Sequence, residues 1–168
     1  MDCKDKMEYL WAPWRMEYIK IANEQSDREC PFCVKPAESL KKDKENLILF
    51  RGEKGFIMMN KFPYNGGHLL VLPYRHVKDI SALNPEERIE LMNLLDKSIQ
   101  VLQKAFKPHG FNIGMNLGRV AGAGIADHLH FHVVPRWNGD TNFMPLISNT
   151  KVISSGLEET WETLRANL

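Results

Sequence analysis

The chain has 168 residues, enough for one well-buried core and short for two, so one domain with terminal extensions is expected. A formal net charge of +1, from 22 Lys and Arg against 21 Asp and Glu, gives no broad basic field and argues against a nucleic-acid polymer as partner. No window approaches the roughly 18 continuous apolar residues of a membrane span, and the polar residues 1–6 lead into no apolar signal core, so neither a membrane role nor secretion is expected.

The first forty residues are irregular in pattern. Trp11-Ala12-Pro13-Trp14-Arg15 brings two indoles and a proline together, as in an extension that docks on a core through its aromatics or borders a ligand site. Of three cysteines, Cys30 and Cys33 form a close pair. In an intracellular chain such a pair reads as metal or redox chemistry rather than a structural bridge, and the expected compartment is the cytoplasm. We divide the chain into an extension over residues 1–44 that carries the cysteine pair, a main domain over 45–146 and a tail over 147–168.

From Leu47 the pattern turns strand-like. Leu47-Ile48-Leu49-Phe50, a turn over residues 51–55, and Phe56-Ile57-Met58-Met59-Asn60 make a hairpin. Pro63-Tyr64-Asn65-Gly66-Gly67 is a turning segment that leads through His68 into a third strand, Leu69-Leu70-Val71-Leu72-Pro73, with His76 beyond its end. Asn84 as cap, Pro85 at the first helical position and Glu87 three beyond the cap open a long helix. Met92, Leu95, Ile99, Leu102 and Phe106 are expected to form its core stripe, and Pro108 and Gly110 end it. Residues 111–117 and 128–135 read as the fourth and fifth strands, and residues 156–168 as a short final helix carrying Leu157, Trp161 and Leu164. The order implies an α+β fold with a mainly antiparallel five-stranded sheet.

The run His128-Leu129-His130-Phe131-His132 carries the chemistry. Strand alternation would put the three imidazoles on one face and Leu129, Phe131 and Val133 in the core on the other. Three neighbouring imidazoles would repel one another if all were protonated, so a purely structural role is disfavoured. Either they hold a metal such as zinc, or one neutral imidazole acts as a nucleophile with the others supplying hydrogen bonds or a proton. The glycine-rich stretch just before them, with Arg119, Gly122 and Gly124, leaves backbone N–H groups able to approach an anion. That juxtaposition favours phosphate as the reacting group.

The run from His128 to Val134 resembles the signature of the histidine triad (HIT) family, and Gly67-His68-Leu69-Leu70-Val71-Leu72-Pro73 with the long helix follows in the expected order. Asn116-Leu117-Gly118-Arg119 through Gly124, Trp137, Asn142-Phe143-Met144 and Trp11-Ala12-Pro13-Trp14-Arg15 resemble the branch containing bacterial diadenosine tetraphosphate phosphorylases. The resemblance implies a homodimer whose two sheets join, and catalysis through a nucleotidyl-histidine intermediate. It assigns His130 as the nucleophile on the α-phosphorus, His132 to the phosphate and leaving group, His128 to orientation or ligation, and His68 to support of the phosphate site. Asn60 matches the position that touches the ribose, and Asn116 the amide near the phosphates. Some relatives bind structural zinc through a cysteine pair and two histidines, and those positions are Cys30, Cys33, His76 and His128 here.

The expected activity is cleavage of dinucleoside polyphosphates, diadenosine tetraphosphate foremost, with phosphate or water as acceptor. Three other readings share these residues. One is a hydrolase of adenosine phosphoramidates or other nucleotide conjugates, and another is a slow-turnover nucleotide-binding signalling protein. The third is a hydrolase in which His128, His130 and His132 all hold one catalytic metal.

Overall fold

The computed structural model describes residues 29–140 and 156–168. The Trp11 to Arg15 and Asn142 to Met144 segments singled out above lie outside the described residues. Helix α1 (Pro31–Ala37) comes first, followed by the hairpin β1 (Ile48–Arg51) and β2 (Gly55–Met59), then β3 (Leu69–Pro73). The long helix α2 (Pro85–Phe106) separates these from β4 (Gly110–Gly114) and β5 (Phe131–Arg136), and α3 (Leu157–Ala166) follows. All strand pairs are antiparallel in one five-stranded sheet of order β1-β2-β3-β5-β4. No helix among the described residues is long and apolar enough to cross a membrane.

Alternation along the strands gives the sheet two different faces. On one, Leu49, Ile57, Met59, Leu69, Val71 and Val133 pack beneath α2. On the other, Ile48, Phe56, Met58, Leu70 and Leu72 gather around Phe32 of α1. His132 lies opposite Leu70 in the β3–β5 register, which puts it on the α1 side, away from the long helix. Of the three imidazoles in the run, that of His132 is thereby built on the sheet itself.

The buried residues of α2 include Leu91, Leu94, Leu95, Val101 and Leu102. Met92, placed in the core stripe from its spacing, is 61% exposed. Leu91 and Met92 both continue a three- and four-residue pattern, and only packing against β2 and β3 selects between the two arcs. The fourth strand ends at Gly114 rather than residue 117, and Leu117 is exposed. The fifth begins at Phe131, so His128 and His130 precede it. Even so, Leu129, Phe131 and Val133 reach the α2-side core as expected. α3 covers the outer strand: Trp161 Nε1 donates to the Ile48 carbonyl at 3.0 Å and Arg165 Nη1 to that of Leu49 at 2.5 Å.

The start of α2 is a complete capping box. Asn84 Oδ1 accepts from the Glu87 amide at 2.8 Å, and Glu87 Oε2 accepts from the Asn84 amide at 2.9 Å. Arg75 completes it by donating from Nε at 2.9 Å and Nη2 at 2.6 Å to the same carboxylate, holding the Glu87 pKa at about 2 against an ordinary 4.5. A depressed carboxylate pKa contributes stability above its unfolded value, lost as pH falls through the folded one. Asn84→Ala is therefore expected to lower unfolding stability by about 1 kcal/mol in urea titrations at neutral pH. Glu87→Gln should flatten the acid loss of stability between pH 4.5 and 2; an unchanged acid limb refutes this role of the pair.

Candidate active site and metal centre

His68 is delivered by a tight turn. Gly67 has φ +75°, which favours glycine, and a Cβ there would sit tightly against side chains, 3.1 Å from Leu102 and 3.3 Å from Phe106. His68 follows, 1% exposed, just before β3. The Tyr64 amide donates to His68 Nδ1 at 3.0 Å, and the Asn60 side-chain amide lies 3.3 Å from the same nitrogen. An amide N–H only donates, so Nδ1 is the lone-pair nitrogen of His68 and Nε2 carries the proton. That Nε2 lies 2.9 Å from His132 Nδ1, so His68 donates to His132 and the His132 proton resides on Nε2. Two histidine tautomers are thus set by one backbone amide. Tyr64 also lies over both rings, its centroid 4.6 Å from His68 and 5.5 Å from His132.

The same reasoning orients His130. Its Nδ1 is 2.8 Å from the His128 carbonyl, which can only accept, so Nδ1 bears the proton and Nε2 the lone pair. A neutral imidazole with a defined lone-pair nitrogen is a nucleophile ready to attack. Its ring centroid stands 5.0 Å from that of His132, at 70°. His128, His130 and His132 are all buried.

His128 faces elsewhere. Its Nε2 donates to the Pro73 carbonyl at 3.0 Å, which leaves Nδ1 as the lone-pair atom. That Nδ1 is 3.5 Å from Cys30 Sγ and 3.5 Å from Cys33 Sγ, while His76 Nδ1 is 3.3 Å from Cys33 Sγ. The ligand atoms of all four residues lie within 4.8 Å of one another. A tetrahedral ion with ordinary zinc–sulfur and zinc–nitrogen bonds sets each N···S edge near ~3.5 Å. The donor set therefore fits a closed metal site, and the Pro73 carbonyl supplies the outer hydrogen bond that fixes a ligating imidazole.

Local sequence explains how the thiols meet. Cys30 caps α1 and Cys33 lies three residues on, with the Cys33 amide donating to the Cys30 carbonyl at 2.9 Å, so one helical turn brings both sulfurs to one side. Burial pushes the His128 pKa down to about 4, keeping it neutral for ligation. Burial, with Cys33 beside it, pushes the Cys30 thiol up to about 11, a direction that a bound cation reverses. Among the described residues these four are the group able to hold a metal, so a single catalytic metal on His128, His130 and His132 has no geometric support.

Asn60 directly follows β2, beside His68. Asn116 lies on the loop that leaves β4 at Gly114, the residue paired with His132, and returns to the sheet at Phe131. Arg119 opens a short 3-10 turn on this loop and is exposed. Gly122 closes that turn at φ +91°, where a side chain is disfavoured. Gly124 follows before the histidines. Phe32, Tyr64 and the Pro73 carbonyl were not singled out from sequence; only the position of Phe32 between the two cysteines marked it.

Residues 41–139 match the HIT domain. The chain is 42% identical over 163 residues to the AP-4-A phosphorylase of Mycobacterium tuberculosis, covering 94% of this chain and 82% of that protein. It is 33% identical over 93 residues to an asymmetrical bis(5'-nucleosyl)-tetraphosphatase of Schizosaccharomyces pombe, covering 55% of this chain and 50% of that one. A zinc-bound histidine triad family protein from Mycobacterium smegmatis shares the fold, with a TM-score of 0.58 at 22% identity over 90% of this chain and 91% of that one. The chain belongs to the HIT family.

Proposed function

We propose that this protein cleaves dinucleoside polyphosphates, diadenosine tetraphosphate foremost, and passes the nucleotidyl group to phosphate through His130. The observation that carries this reading is the pair of set tautomers: a lone pair on His130 Nε2 and a proton on the neighbouring His132 Nε2. The 42% identity to a protein named AP-4-A phosphorylase supports phosphate over water as acceptor.

In the first step His130 Nε2 forms a P–N bond to the α-phosphorus of one adenosine while the bond to the bridging oxygen breaks. ATP leaves with that electron pair, and the His132 proton meets the developing charge. A phosphate oxygen then displaces His130 and forms ADP. Splitting one displacement into two lowers each barrier. Asn60 would serve the ribose. Asn116, Arg119 and the loop amides around Gly122 and Gly124 would hold the phosphates. His128 contributes twice: its carbonyl orients His130, and its ring belongs to a structural zinc site with Cys30, Cys33 and His76. Zinc held by four protein ligands ties the chain together and takes no part in the displacement.

The test is incubation with diadenosine tetraphosphate, with and without inorganic phosphate. ADP plus ATP formed only with phosphate is the expected result, AMP plus ATP in buffer alone would make the protein a hydrolase, and no products at all would overturn the reading. We also propose a homodimer joined through β4, the outer strand whose Asn112, Ile113 and Gly114 are exposed. Among the described residues no strand pairs with the far side of β4, and an edge of this kind seeks a partner. Sedimentation as a monomer at micromolar concentration refutes it.

A further inference from the structure

Phe32 lies between the cysteine turn and the triad. It sits between Cys30 and Cys33 in α1 and is 7% exposed. Ile48, Phe56, Met58, Leu70 and Leu72 surround it, so the apolar face of the sheet fixes the ring. Its centroid is 5.3 Å from that of His130, tilted by 58°, and 5.6 Å from that of His128, nearly edge-on at 80°. The ring thus touches both the nucleophile and the residue whose carbonyl holds it.

An imidazole turns about two side-chain bonds, and one hydrogen bond restrains only one edge of it. For His130 that bond runs from Nδ1 to the His128 carbonyl. The Phe32 ring, tilted by 58° against His130, adds a non-polar restraint on the ring plane that keeps Nε2 aimed at phosphorus. We propose that Phe32 is a positioning residue for the nucleophile: closure of the cysteine turn seats its ring against His130 and holds Nε2 in line for attack. This rests on His130 being the nucleophile, as proposed above. The metal site then does more than staple the chain, because the residue between its two thiols shapes the reacting imidazole.

The experiment uses the full-length, metal-loaded protein with Phe32→Leu and Phe32→Met, which keep apolar bulk but lack the ring. Zinc content, the dissociation constant for diadenosine tetraphosphate, kcat and the ¹⁵N imidazole resonances of His130 are measured for each. Both variants are expected to retain metal and nucleotide affinity while kcat falls about 10- to 100-fold, the scale of a misplaced reacting group. The His130 resonances should move from one Nδ1–H tautomer toward an exchange average. A kcat within twofold of the parent, a kcat loss that follows loss of zinc, or a lowered kcat with unchanged ¹⁵N resonances overturns the proposal. The ¹⁵N measurement needs no substrate, so it tests Phe32 even if diadenosine tetraphosphate is not turned over.

Discussion

His130→Ala is expected to lower turnover of diadenosine tetraphosphate by roughly 10⁴-fold or more, the scale on which removing a covalent nucleophile acts. Nucleotide affinity should change little, because the ribose and phosphate contacts proposed above fall to Asn60 and the loop from Asn116 to Gly124. The reason is geometric: the His128 carbonyl leaves His130 Nε2 as the lone-pair atom. His132→Ala should be milder, since a proton on the leaving group contributes about 10²- to 10⁴-fold. Single-turnover quenching with radiolabelled substrate separates the two. The parent protein should trap a phosphorus–nitrogen adduct, and an adduct of equal yield in His130→Ala would remove His130 from the mechanism.

Loss of the proposed zinc is expected to be the second large effect. Protein purified without chelator should hold about one zinc per chain, and Cys33→Ser should lose it, since Cys33 lies against both histidines of the site. A site filled at 1,000 times its dissociation constant stabilises the folded state by about 4 kcal/mol. For a chain of this size that is a fall in Tm of about 8–16 °C on stripping. With the Cys30 thiol near 11 before a cation arrives, binding must release protons, so affinity should weaken as pH falls. His128, near 4, stays neutral through that range and does not compete. Sub-stoichiometric zinc, or an identical Tm with and without chelator, would falsify the metal assignment. Activity that survives stripping would be compatible with a structural site and contrary to metal catalysis.

Much of the fold was legible before any coordinates. The Asn84-Pro85-Glu87 start of α2 forms the expected box because capping is decided within one turn of chain. The hairpin and third strand followed from short apolar runs broken by turn residues. The core arc of α2 was misplaced by one position at Met92, since neighbouring arcs differ by a single residue and only the sheet beneath chooses. Alternation separates the three histidines from Leu129, Phe131 and Val133 as expected, although His128 and His130 precede β5; what it does not show is that His128 turns to the cysteines while His130 and His132 stay together.

The amino-acid sequence alone determined which groups are present: three alternating histidines, a glycine-rich approach to them, a cysteine pair, and the periodicities that make five strands and a long helix. These are local properties, carried by residues a few positions apart. Tertiary structure decided which nitrogen of each imidazole holds its proton, because the deciding partners lie on different segments, such as the Tyr64 amide for His68 and the Pro73 carbonyl for His128. It also brought Cys30 to His128 across 98 residues and set Phe32 against His130. Contacts between distant segments depend on how the sheet stacks its strands and which face each helix covers, and that arrangement exists only once the core has closed.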